Sequence, residues 1–189
     1  MDSGEIARQA VKFKTARANL LLVVVFTTIN VFLAFSEAGV YLLFSAMIPL
    51  LILELAQIFA FELGNDIFTV FGLVGALIAI GAYLLCWALS KNAKFFMVIA
   101  LIFFSIETLV FAVFFFLGLA GGGFEGSMII EIAFHGWILY YLVTGTLAWL
   151  KLRHTSPEEI GAAHSNLENY EKWKGERSAV EDFRDDDGF

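Results

Sequence analysis

Lysine and arginine are almost missing from the middle of this chain. Between Ala18 and Leu150 there are two, Lys91 and Lys94, against seven acidic residues. That scarcity excludes a nucleic-acid partner, which needs a basic footprint to neutralise phosphates. Charged residues of both signs cluster in the first seventeen positions, around Lys91 to Lys94 and in the last thirty-nine, so no separate soluble catalytic domain fits between them. Cysteine is nearly absent too. Cys86 stands alone in an apolar run, where no internal disulfide can form, and reads as a small buried hydrophobe. The tract Gly121-Gly122-Gly123 lacks the spacing and the lysine of a nucleotide-binding loop, which leaves a flexible connection.

What the chain has in abundance is apolar surface. It is 59% hydrophobic with a mean hydropathy of +0.78, against roughly 45 to 50% apolar residues in a soluble domain. The expected fold is all-α, a polytopic helix bundle spanning the cell membrane with lipid as its surroundings. The formal charge of −7 is spread unevenly, +2 over residues 1–17, −5 over 18–150 and −4 over 151–189. An acidic body of this kind is compatible with handling protons or cations.

The chain divides into a basic amphipathic segment (1–17), a membrane bundle (18–150) and an acidic tail (151–189). Hydropathy predicts five spans, at about 18–35, 40–61, 67–89, 95–119 and 128–150. Residues 4–17 read as an interfacial lead-in helix. Together with the first apolar run and Ser36-Glu37-Ala38 they also have the form of a signal peptide with its cleavage site, an alternative reading. Pro49 falls mid-way in the second span and predicts a kink there. Glu62 to Asp66, with Gly64, forms a turn. In the third span Gly72 and Ala76, and Gly75 and Ala79, recur at four-residue spacing, which lets another helix approach closely. After the anchor Trp149, Lys151 and Arg153, the sequence Ser156-Pro157-Glu158-Glu159 has the form of a capping box, opening a short helix over about 157–175 with Ile160, Ala163, Leu167 and Tyr170 on one face.

Five spans leave the charges balanced across the membrane. Arg8, Lys12, Lys14 and Arg17 fall on one side and Lys91, Lys94, Lys151 and Arg153 on the other, a tie under the positive-inside rule. Four spans, with one early segment re-entrant, put all of these on one side. Five remains the expectation, because a re-entrant loop needs protein around it.

Ionisable residues inside a membrane are costly, usually face the bundle interior and are functional candidates. Four lie in the predicted spans: Glu54, Glu107, Glu131 and His135. Counted at 1.5 Å per residue from the side of the 62–66 and 118–126 loops, Glu131, Glu54, His135 and Glu107 lie about 6, 10, 12 and 18 Å deep. Asn30, Gln57 and Tyr141 are the polar residues expected to support them. Three chemistries use such a group: passage of protons or cations, with the histidine exchanging protons near neutrality; a divalent metal held by Glu107, Glu131 and His135; and an intramembrane hydrolase working through metal-bound water. The metal readings are the weaker, since His154 and His164 lie outside the spans. Against all three stands a purely structural role, in which the polar side chains hold helices together and the protein acts by interaction with a membrane partner or with itself.

Residues 104–109 (Phe-Ser-Ile-Glu-Thr-Leu) and 131–142 (Glu-Ile-Ala-Phe-His-Gly-Trp-Ile-Leu-Tyr-Tyr-Leu), with Asn19 to Leu22 and Tyr41 to Ala46 leading to Pro49, resemble segments of a family of small uncharacterised integral membrane proteins of Gram-positive bacteria. The resemblance covers about residues 15–153. It implies a multi-pass membrane protein and assigns no activity to Glu107, Glu131 or His135. The expected function is that of a small transport-like or helper bundle, without enzymatic chemistry.

Overall fold

The computed structural model describes residues 1–36, 38–40, 42, 44–123, 126–156, 158–163, 165, 166, 169 and 172. Among them there are helices and no strand. Five helices follow in order: α1 (Ser3–Phe35), α2 (Met47–Leu63), α3 (Ile67–Leu89), α4 (Phe96–Gly121) and α5 (Ser127–Leu152). Four of them, α1, α3, α4 and α5, are long and apolar enough to cross a membrane.

The lead-in segment and the first span are one helix of 33 residues. Nothing interrupts it, because residues 5–35 contain neither glycine nor proline. Asp2 starts it, its carboxylate accepting from the Glu5 N–H at 2.6 Å. At 1.5 Å per residue α1 is about 50 Å long, well beyond a hydrocarbon core of about 30 Å. The lead-in is therefore a continuation of α1 beyond the length such a core needs, and its Ala7, Gln9 and Ala16 are buried.

The second expected span is the one that differs. Val40, Leu42, Phe44, Ser45 and Ala46 are non-helical, and α2 starts only at Met47. The reason is Pro49. A proline inside a helix removes a hydrogen bond and drives its ring against the carbonyl four residues back, here that of Ser45, whereas in the first turn its missing N–H has no helical acceptor to lose. The helix consequently begins two residues before the proline, and the mid-helix kink expected there does not occur. What remains is 17 residues, about 25 Å. Phe44 adopts φ +87°, a conformation unfavourable for a bulky residue, with its ring packed at 5.1 Å from Phe134 and 6.2 Å from Phe26.

Hydrogen bonds define two ends of the bundle. At one, Arg17 on α1 donates through Nε to Ser90 Oγ (2.9 Å) and through Nη2 to the Trp87 carbonyl (3.1 Å), with its guanidinium over the Trp87 ring. Lys151 on α5 lies 3.9 Å from Glu5 at the same end. At the other end, Gln57 on α2 donates to the Ala34 carbonyl near the end of α1 (3.3 Å). Gly64, at φ +62°, closes α2 there, as the turn signal predicted. Because Ala46 meets Thr27 and Gln57 meets Ala34, α2 runs alongside α1 in the same direction.

Small residues set the closest approaches. A Cβ on Gly72 would sit 2.3 Å from Ala56 Cβ, and one on Gly75 3.0 Å from Ile52, so the spacing read in the third span is the seat of α2. Between α1 and α5, a Cβ on Gly145 would come within 2.2 Å of Ala16 Cβ. Gly145→Ala is expected to cost about 1 to 3 kcal/mol by forcing these helices apart. Gly136→Ala on the same helix, where the added carbon meets nothing within 4 Å, should be neutral or slightly stabilising. Thermal unfolding of the two variants in detergent checks this, and equal midpoints would rule out the tight α1–α5 contact.

The capping box after the last span forms as read: Glu159 N–H donates to Ser156 Oγ (3.1 Å) and Ser156 N–H to Glu159 Oε2 (3.0 Å). Residues 158–163 are helical. Leu167, Tyr170 and the acidic tail beyond lie outside the described residues.

Candidate functional site

In the non-helical stretch before α2 the backbone of Leu42 and Ala46 is bonded by side chains of α1, and the first N–H groups of α2 by a side chain of α4. Asn30 exchanges two bonds with Leu42, accepting from its N–H at 2.7 Å and donating to its carbonyl at 2.5 Å. Thr27 Oγ1 accepts from the Ala46 N–H at 2.8 Å. Glu107, buried at 2% exposure near the middle of α4, accepts through one oxygen from the N–H groups of Met47 (2.6 Å) and Ile48 (3.2 Å). Its carboxylate thus caps the N-terminus of α2, where two unpaired donors and the positive end of the helix dipole favour a negative charge.

His135 is buried, also at 2% exposure. Its ring stacks on Phe111 (4.6 Å, 6° between planes) and on Phe104 (5.4 Å, 21°), which lie seven residues apart on one face of α4. Nδ1 is 2.9 Å from the carbonyl of Glu131. A carbonyl only accepts, so Nδ1 carries the hydrogen and Nε2 presents a lone pair in the neutral ring. Nε2 is buried and has no hydrogen-bond partner. With Nδ1 turned back onto the α5 backbone, Nε2 is the ring atom directed away from its own helix.

His135 lines a cavity of about 290 Å³, together with Glu131 on α5, Glu54 on α2, Asn30 on α1 and Ser45. Apolar side chains, among them Leu50, Leu51 and Phe111, complete the wall. No lysine or arginine takes part. Glu54 also lines a more open groove along α2 with Gln57 and Glu62, leading toward the 64–66 turn.

No family model, curated protein or solved structure matches this chain. Nothing there bears on kinship with small Gram-positive membrane proteins, and the site must be read from its own geometry.

Three of the four candidates, Glu54, Glu131 and His135, meet at one cavity. Glu107 does not line it; it faces a separate cavity of about 240 Å³ with Tyr83 and Phe103. The expected metal set of Glu107, Glu131 and His135 is not assembled, and among the described residues no three His, Cys, Asp or Glu side chains are grouped to hold a metal ion. Of the supporting residues, Asn30 lines the cavity with its amide already committed to Leu42, and Gln57 stands at the outer groove. Tyr141 is elsewhere, its ring against Trp137 and Tyr140. Six residues beyond His135 is about a third of a turn around the helix, which directs it to another neighbour. Ser45 and Phe111 were not singled out by the sequence; the phenylalanine had the signal of helical register with Glu107, four residues on.

Proposed function

We propose that this protein is a multi-pass protein of the cell membrane with four spans and a short helix, α2, entered from a re-entrant segment, and that it takes up a proton or a cation at the cavity of Glu54, Glu131 and His135. The observation that carries the reading is the buried, unpartnered Nε2 of His135, in a ring that lines the same cavity as two carboxylates with no basic side chain among the lining residues. A buried acceptor left unmatched costs about 1 to 3 kcal/mol, which binding of a proton or another positive donor returns. Non-helical backbone at membrane depth is tolerated where protein covers it or a cavity adjoins it, the arrangement used by transporters with broken helices. Here the α2 N-terminus that such proteins turn toward an anion is already occupied by Glu107. That leaves acceptors for positive charge, not donors for negative.

Charge supports the same direction. With α2 parallel to α1, the basic clusters of the N-terminal segment, the 91–94 turn and the end of α5 share one side, the cytoplasmic one under the positive-inside rule. The groove lined by Glu54 and Glu62 opens toward the opposite side, and a cleft of one sign draws in counter-ions.

Liposomes containing the full chain should take up protons or small cations, and Glu54→Gln and Glu131→Gln should each lower the initial rate by about tenfold or more. Uptake undiminished in both variants would dismiss the reading.

A further inference from the structure

We propose that Arg17 receives the phosphodiester of an anionic phospholipid, at the end of the bundle where α1 meets α3 and the 91–94 turn. This site is separate from the cavity of Glu54, Glu131 and His135 and stands without it. A guanidinium carries five N–H donors in a rigid plane. In Arg17 one edge of that plane is committed: Nε donates to Ser90 Oγ at 2.9 Å and Nη2 to the Trp87 carbonyl at 3.1 Å. The Trp87 ring, its centre 5.6 Å from the guanidinium carbon, holds the plane from one face. The opposite edge, both N–H groups of Nη1 and the second of Nη2, has no acceptor among the described residues. Nη1 is not a buried atom, so this edge opens outward from a fixed side chain.

No carboxylate among the described residues pairs with that charge. After Glu5, α1 has no acidic residue, and α3 and the 91–94 turn have none. Glu5 itself lies about 18 Å away along the helix, and its ion pair is with Lys151. Lys14, one turn before Arg17, and Lys91, next to Ser90, add positive charge at this end. The apolar run of α1 opens at Ala18 and α3 closes at Leu89, which puts Arg17 where hydrocarbon gives way to headgroups. Phosphodiesters are the anions concentrated there, and two N–H groups on one guanidinium edge match two phosphate oxygens in a bidentate pair. The neighbouring lysines favour a headgroup that carries no cation of its own.

Native mass spectrometry of the full chain, titrated in neutral detergent with dioleoylphosphatidylglycerol or dioleoylphosphatidylcholine, tests this. Phosphatidylglycerol is expected to be retained about tenfold or more tighter than phosphatidylcholine. Arg17→Lys keeps the charge but loses the planar edge, and should weaken retention by about tenfold. Arg153→Lys, the same exchange at another arginine of this end, should leave it unchanged. Should Arg17→Lys fail to fold, Lys14→Gln and Lys91→Gln combined carry the test, with about tenfold weaker retention expected. Inorganic phosphate at millimolar concentration should not displace the lipid, and Asp185→Asn, Asp186→Asn and Asp187→Asn combined should not raise its affinity. Retention unchanged in Arg17→Lys, or lowered equally in Arg153→Lys, overturns the assignment, as does equal retention of the two lipids. Displacement by inorganic phosphate makes the ligand a free anion, and tighter lipid binding in the triple variant makes the acidic tail the partner of Arg17; either result also overturns it.

Discussion

Glu107→Leu is expected to prevent accumulation of the folded protein, and Glu107→Gln to leave it folded but less stable. Leucine nearly preserves the volume of the glutamate side chain and removes both of its bonds, to the N–H groups of Met47 and Ile48. Each donor left unmatched away from water costs about 1 to 3 kcal/mol, and more where lipid replaces water. The lost attraction between the carboxylate and the α2 dipole adds about 0.3 to 2 kcal/mol. Together these take a large part of a typical total stability of about 5 to 15 kcal/mol. Glutamine keeps an acceptor oxygen at the same reach and gives up only the charge, so its penalty should stay near 1 kcal/mol. Yield of monodisperse protein and the unfolding midpoint in detergent measure the order leucine, glutamine, wild type. Because Glu107 does not line the cavity of His135, the glutamine variant should retain cation uptake. A leucine variant as stable as the wild type would mean that α2 does not depend on this cap.

That contrast explains which parts of the molecule hydropathy could reveal. The third span was expected at 67–89 and α3 is Ile67–Leu89; the fourth and fifth differ from α4 and α5 by one or two residues at each end. Those segments close their backbone hydrogen bonds within themselves, so local apolarity and length suffice to find them. Residues 40–46 are also largely apolar, and hydropathy alone extends the second span across them. The backbone of Leu42 and Ala46 is instead bonded to Asn30 and Thr27, and that of Met47 at the start of α2 to Glu107, partners 12 to 60 positions away, and no window of local sequence contains them. Two sequence features fit the break: Pro49, expected as a mid-helix kink but seated in the first turn of α2, and the four-to-four tie of basic residues that five spans create.

The sequence orders the site residues along their helices but does not give their direction around them. Counting residues from a loop orders Glu131, Glu54, His135 and Glu107 by depth, and three of the four, Glu54, Glu131 and His135, line one cavity. Depth does not say which neighbour a side chain meets. Glu107 belongs to the stripe of Phe104 and Phe111, yet its carboxylate reaches α2, while the two phenylalanines hold His135. Glu131 and His135 stand four residues apart on α5, and no bond joins their side chains. The bond formed is from the imidazole to the Glu131 backbone carbonyl, which leaves the carboxylate free for the cavity.

Cysteine labelling from outside intact cells should sort three positions into two groups without intermediates. In a Cys86→Ala background, which removes the one native thiol, single cysteines at Ser3 and Asn92 should be protected from a membrane-impermeant maleimide, and one at Asp66 should react. All three residues are exposed in the structure, so accessibility follows the side of the membrane. The assignment comes from the short α2. It starts beside Thr27, runs with α1 and ends where Gln57 reaches Ala34, so the chain leaves α1 and α2 at the same end of the bundle, and with α1 as a membrane span Asp66 is expected across from Ser3. If Val40 to Phe61 were a full span, Asp66 would share the side of Ser3 and only Asn92 would change. The energetics favour the first arrangement: it gathers Arg8, Lys12, Lys14, Arg17, Lys91, Lys94, Lys151 and Arg153 on the side where positive residues are retained, whereas five spans would place half of them across the bilayer. Equal labelling of Ser3→Cys and Asp66→Cys would therefore overturn the re-entrant α2 and, with it, the route from the Glu62 side to His135.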